Sequence, residues 1–139
     1  MKKIDFDKYQ QFVDGVTSAC SKDFESFIER LQTLSDESNP NKCNIERLLT
    51  AGVGINAEGG EFLEIIKKII FQGKEYTDAN REHLIIELGD IMWYVAQACM
   101  AMGVSVDDVI ARNVEKLSSR YPGGEFDVFY SENRKEGDL

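Results

Sequence analysis

Residues 77–103 read TDANREHLIIELGDIMWYVAQACMAMG, and this stretch decides the fold. Thr77 or Asp78 offers a side-chain oxygen that caps a helix, and Gly103 supplies the left-handed stop after Met102. Between them Leu84, Ile85, Ile86, Leu88, Ile91, Met92, Trp93 and Val95 leave little polar circumference. A helix that is apolar nearly all round is covered on several sides. In so short a chain this one is expected both at the centre of a bundle and at a subunit interface.

Working outward, helical spacing of apolar residues continues in both directions. A long helical pattern runs from about Asn44 to Gln72 and stops at Gly73. Upstream, Phe6, Tyr9, Val13, Val16 and Cys20 make one stripe, and Phe24, Phe27, Leu31 and Leu34 make a second. Ser21 is positioned to cap that second helix, with Asp23 and Glu25 in its first turn. Residues 36–42, DESNPNK, form a polar, proline-containing loop. Downstream, Ser105-Val106-Asp107-Asp108 opens a fifth helix with a capping-box pattern, and Tyr121-Pro122-Gly123-Gly124 ends it. Residues 125–139 read as an extended acidic tail. No strand pattern competes and no internal repeat is present. The class is all-α: a bundle of about five helices forming one domain over 1–139, with the tail at 128–139.

The whole chain has 139 residues, 16 basic and 25 acidic, for a net charge of −9. Such a field repels a nucleic-acid backbone, which argues against nonspecific nucleic-acid binding. It repels a free nucleotide equally, so phosphate chemistry here needs bound cations to invert the local field. The three cysteines, Cys20, Cys43 and Cys99, form no CxxC pair, and reduced thiols in a reducing cytoplasm are the expectation. The first residues run straight into charge rather than an apolar signal core. Unbroken apolar runs are far shorter than the ~18 residues of a membrane span. The expected setting is cytoplasmic, with no membrane partner.

Against that apolar background stand carboxylates that a buried helix does not need. Glu87 and Asp90 are three apart, on one helical face that Tyr94 and Gln97 continue. Glu58 and Glu61 repeat the spacing on the preceding long helix, with Glu64 a step further and Lys68 roughly in line with Glu61. If the two helices pack antiparallel across the Gly73–Thr77 turn, Glu61 and Glu87 come level and the four carboxylates share one cleft. Four such charges in a small volume need neutralising. Oxygen ligands without histidine or thiolate suit Mg²⁺ or Mn²⁺ rather than zinc. Gly59, Gly60 and Gly89 sit inside these tetrads, and each costs about 1 kcal/mol relative to alanine in a helix interior, for which close approach by a helix or ligand is the usual compensation. The plain alternative is a set of solvent-facing acids paired with Lys67, Lys68 or Arg81.

Glu58-Gly-Gly-Glu61 followed by Glu87-Leu-Gly-Asp90 resembles the ExxE…ExxD pattern of the MazG-like all-α nucleoside triphosphate pyrophosphatases. The similarity continues through residues 113–122, NVEKLSSRYP, and spans roughly 48–127. The terminal GGEFDVFYSENRKEGDL is most similar to the short MazG proteins of bacteriophages, cyanophages especially. The resemblance implies Mg²⁺-dependent hydrolysis between the α- and β-phosphates of a nucleoside triphosphate, giving monophosphate and pyrophosphate. It implies a homodimer or homotetramer whose sites are completed between subunits. Carried over residue by residue, Glu58, Glu61, Glu87 and Asp90 are the catalytic metal ligands, with Mn²⁺ a substitute for Mg²⁺.

Asn113, Lys116 and Arg120 share a face of the last helix and are candidates for phosphate and sugar contacts. Lys68 is a further phosphate candidate. Tyr94, Trp93, Phe6, Tyr9 and Phe12 offer rings to a base, although at helical spacing such rings are more often core. His83 is expected at the surface or as an interface hydrogen-bond partner. A di-iron carboxylate bundle fails because three residues before His83 stands Asn80, not glutamate. No stretch has EF-hand spacing. Two further readings stay open: a catalytically silent helical interaction protein, and a hydrolase of another nucleoside polyphosphate such as an alarmone. Deoxynucleotides suit a phage setting, which is an argument from biology rather than from residues.

Overall fold

A computed structural model describes residues 4–134. The described residues are helical throughout apart from their turns and loops, and they divide into two compact units at Ile45/Glu46.

In the first unit, α1 (Phe6–Val16) starts at Asp5, whose side chain accepts from the Lys8 amide. A short 3₁₀ turn, Ala19–Ser21, leads to α2 (Phe24–Ser35). Asp23, not Ser21, caps α2: its carboxylate accepts from the Ser26 amide at 2.7 Å. The reason is spacing. Asp23 lies three residues before an amide with no helical partner, while Ser21 is held in the 3₁₀ turn with its hydroxyl 3.1 Å from that of Ser18. The polar loop after α2 folds back on it, with Asn39 donating to the Thr33 carbonyl and the Cys43 amide to that of Leu34.

The second unit is built on two long helices, α3 (Ile45–Phe71) and α4 (Asp78–Met102). Their termini follow the sequence signals. Gly73 takes φ +68° after α3, Thr77 caps α4 through the Asn80 amide, and Gly103 takes φ +67°. The amides of Gly103 and Val104 both return to the Cys99 carbonyl, satisfying the end of the helix. The two helices run antiparallel. Arg47 Nη1 donates to Gln97 Oε1 at 2.6 Å, Gly54 faces the Tyr94 ring, and Glu61 meets Glu87. As one chain segment ascends, its partners descend.

α5 (Val106–Arg120) opens on the expected capping box, Ser105 and Asp108 each accepting from the other's amide. After the turn at Gly124, Asp127 caps a short helix, α6 (Val128–Glu132). These residues are helical where the sequence pattern predicts an extended tail. Asp127 supplies the cap, accepting from the Phe129 amide at 2.7 Å, and Val128, Phe129 and Tyr130 supply the apolar side chains. Residues 135–139 of the expected tail lie outside the described residues.

Burial corrects the expectation for α4. Among the described residues only Ala51, Ile65 and Cys99 form a buried apolar core, and the buried charged residue is Glu87. Ile86, Leu88 and Trp93 are 54%, 51% and 55% exposed. In the single chain α4 is therefore not enclosed. By length and composition α4 also qualifies as a helix able to cross a membrane. Counting unbroken apolar runs misses this, because Glu87 and Asp90 interrupt an otherwise uncharged stretch from Leu84 to Met102.

Candidate metal and nucleotide site

Glu58 and Glu61 project from α3 because a three-residue step returns to one helix face, and Glu87 projects toward them from α4. One carboxylate oxygen from each of the three lies within 4.8 Å of the others. The antiparallel register read from the Gly73–Thr77 turn is thus the one observed. The three differ in environment: Glu61 is exposed, Glu58 half-buried, and Glu87 only 5% exposed.

Asp90, one turn beyond Glu87, is exposed and lies outside that trio, but its charge reaches Glu58. Burial first, then the charges of Glu61, Asp90 and Glu87, push the Glu58 carboxyl above its ordinary range. All four causes act in the same direction. A group held that way gains from any cation placed among its neighbours. The donors are carboxylate oxygens only, a set suited to a hard divalent ion.

Further along α3, Glu64 follows the plain alternative: it pairs with Lys68 at 3.3 Å and Lys67 at 3.5 Å, and hydrogen bonding to Lys68 lowers its pKa. Lys68, a candidate for phosphate, is thereby held by Glu64, two helical turns past Glu61. Asn113, Lys116 and Arg120 share a face of α5, the first two exposed and Arg120 partly covered, and none belongs to the carboxylate trio. Beside Arg120 a recess of about 380 Å³ is lined by Leu117, Tyr121, Pro122 and Phe126, with the Tyr121 and Phe126 rings 5.8 Å apart. Phe6, Tyr9 and Phe12 are exposed on α1 in the other unit.

Tyr94 packs where it was expected, on the Glu87–Asp90 face, with Trp93 edge-on to it at 4.8 Å. What the sequence reading missed is its neighbour. A Cβ built on Gly54 would sit under 3.0 Å from three atoms of the Tyr94 ring, while Gly59, Gly60 and Gly89 each face open space in the single chain. The close helix approach is at Gly54, and the three glycines inside the tetrads do not make it. His83 was missed as well: its Nε2 lies 2.9 Å from Glu87 Oε1. The signal was available, since His83 precedes Glu87 by one helical turn.

Comparison with known proteins gives these residues their setting. The MazG nucleotide pyrophosphohydrolase domain profile matches residues 48–124, a span that includes all four carboxylates and the Asn113–Arg120 face. The "Gene 37 protein" of Mycobacterium phage L5 is 41% identical over 83 residues, covering 58% of this chain and 72% of that protein. No solved structure matches. With its carboxylate trio bridging two antiparallel helices inside the matched span, this chain belongs to the MazG nucleotide pyrophosphohydrolase family.

Proposed function

We propose that this chain is a magnesium-dependent pyrophosphohydrolase of nucleoside triphosphates, deoxynucleotides foremost, working as a homodimer or dimer of dimers in the cytoplasm of a phage-infected cell. Water attacks the α-phosphorus and the bond to the bridging oxygen breaks, giving a monophosphate and pyrophosphate. The observation that carries the reading is the convergence of Glu58, Glu61 and Glu87 within 4.8 Å across α3 and α4. The like charges that raise Glu58 support a cation-binding role, and the phage relative supports the setting.

Glu58, Glu61, Glu87 and Asp90 would hold the ion. When bound, it offsets charge on phosphate oxygens and lowers the pKa of an attacking water. One of the acids orients that water as general base. Lys116 and Arg120, with Lys68 as a further candidate, take phosphate oxygens, Asn113 contacts sugar or phosphate, and Tyr94 offers its ring to the base. The exposed apolar residues on α3 and α4, Leu49, Val53, Leu63, Ile86, Leu88 and Met92 among them, support burial against a second copy.

The test is incubation with each ribo- and deoxynucleoside triphosphate in Mg²⁺ or EDTA, with products resolved by anion exchange. Monophosphate plus pyrophosphate is expected, absent in EDTA and in Glu61→Gln and Asp90→Asn. Diphosphate plus phosphate would reject the cleavage position. Survival of every triphosphate would leave an alarmone hydrolase if guanosine tetraphosphate is cleaved, and an interaction protein if it is not.

A further inference from the structure

Glu87 differs from the other acids of the site in two respects that bear on metal binding: it is the buried one, and it has a partner. At 5% exposure it gains little from bulk water, and a buried carboxylate without hydrogen bonds is costly. His83 Nε2 approaches Glu87 Oε1 at 2.9 Å. An ionised carboxylate only accepts, so at this distance the imidazole donates its Nε2 proton. The two residues are one turn apart on the same helix, so α4 itself sets their separation. His83 is 53% exposed, so the ring lies at the rim of the site and its far side meets solvent. No other acid of the trio shares this arrangement among the hydrogen bonds and ion pairs described: Glu58 and Glu61 are set beside like charge.

We infer that His83 is a positioning residue for the divalent ion: by holding Oε1 of Glu87, it fixes the rotamer of the carboxylate that meets Glu58 and Glu61. The inference rests on the proposed pyrophosphohydrolase reading. It assigns to His83 no contact with substrate and no proton transfer. Hydrogen bonds to the ligands of a metal typically set its affinity by 10–100-fold, because a ligand left free to rotate must be ordered when the ion binds.

The experiment measures Mn²⁺ binding to the nucleotide-free protein by the electron paramagnetic resonance signal of the unbound ion. The unsubstituted chain, His83→Ala, His83→Gln and Glu61→Gln are compared, with far-UV circular dichroism as the folding control. His83→Ala is expected to weaken Mn²⁺ by about tenfold. His83→Gln, whose amide N–H reaches about as far as Nε2, is expected to recover most of that loss, which a general structural defect would not allow. In turnover, His83→Ala should raise the Mg²⁺ concentration needed for half-maximal rate while kcat at saturating Mg²⁺ changes little. Equal Mn²⁺ affinity in His83→Ala and the unsubstituted chain, with Glu61→Gln still defective, overturns the role of His83 and leaves the metal site standing. No Mn²⁺ binding by the unsubstituted chain overturns the metal-site reading, and this inference with it.

Discussion

Substituting Gly54 by alanine tests whether the register of α3 against α4, and with it the carboxylate cluster, depends on one close approach. The added methyl would lie under 3.0 Å from Cε1, Cδ1 and Cζ of Tyr94, closer than real Cβ atoms come to other heavy atoms. Overpacking of this kind costs about 1–3 kcal/mol, and three atoms of one ring are affected together, so the upper part of that range applies. Against it stands the gain of about 1 kcal/mol from replacing glycine inside a helix. The net expectation is a loss of about 2 kcal/mol, which is about 30-fold in the folding equilibrium.

Gly52, two residues earlier on α3, is the internal control. A Cβ there meets nothing, so Gly52→Ala should stabilise by about 1 kcal/mol. The assay is urea unfolding followed by far-UV circular dichroism, in EDTA and at one protein concentration, since association shifts apparent stability. In a Tyr94→Ala background the same Gly54→Ala change meets open space, and its sign should reverse to a gain of about 1 kcal/mol. If Gly54→Ala stabilises the chain in both backgrounds, the helices do not touch there and the argument for their register fails.

The trio itself yields a second prediction. Because like charges and burial raise Glu58, the metal-free fold is strained by its ionisation: that stability is present below the unfolded carboxyl pKa and is lost as pH rises through the folded one. Glu58→Gln should therefore raise the urea midpoint in EDTA at neutral pH, and saturating Mg²⁺ should remove the advantage; a lower midpoint in EDTA would mean that Glu58 stabilises the apo fold. A third concerns α5. Ser105 hydrogen bonds hold Asp108 below its ordinary pKa, so the cap is intact above the unfolded value of 3.8 and is lost as pH falls through the folded one. Ser105→Ala should cost about 1 kcal/mol at pH 6. It should also flatten the acid dependence of stability, and an unchanged acid limb would show that the capping box does not contribute.

Much of this architecture is legible from residues alone, and for identifiable reasons. Gly73, Thr77, Gly103 and Ser105 mark helix ends because each answers a local need, a left-handed turn or an orphan amide, that does not depend on tertiary context. The level of Glu61 with Glu87 follows from counting residues outward from one tight turn, and the observed cluster agrees. Choices between near neighbours were harder. Ser21 and Asp23 both suit a cap, and only the 3₁₀ turn decides between them. Gly54 looks no different from Gly59 or Gly60 until Tyr94 is placed over it. The pairing of His83 with Glu87 follows from their one-turn spacing, whereas the burial of Glu87 does not, being a property of α3 and α4 together. The five residues of α6 are too few for a period to show.

α4 inverts the usual ordering of burial, and the inversion is informative. Charged side chains are almost never fully buried unless paired, and large apolar ones are the usual core. Here the charged Glu87 is 5% exposed while Ile86 and Leu88, its immediate neighbours, are about half exposed. A single chain gains little from that arrangement: it desolvates a carboxylate and leaves apolar surface in water. Both deficits have the same kind of remedy, which is a binding partner, but the partners differ. A divalent cation answers the carboxylate and leaves the leucine unchanged, whereas a second apolar surface answers the leucine and does nothing for the charge. The two sit on adjacent positions of one rigid helix, so whatever fixes one face of α4 restricts the other. That geometry is why the proposed metal site and the proposed subunit contact belong to a single argument: a chain optimised to fold alone would have no reason to place Glu87 inside and Leu88 outside.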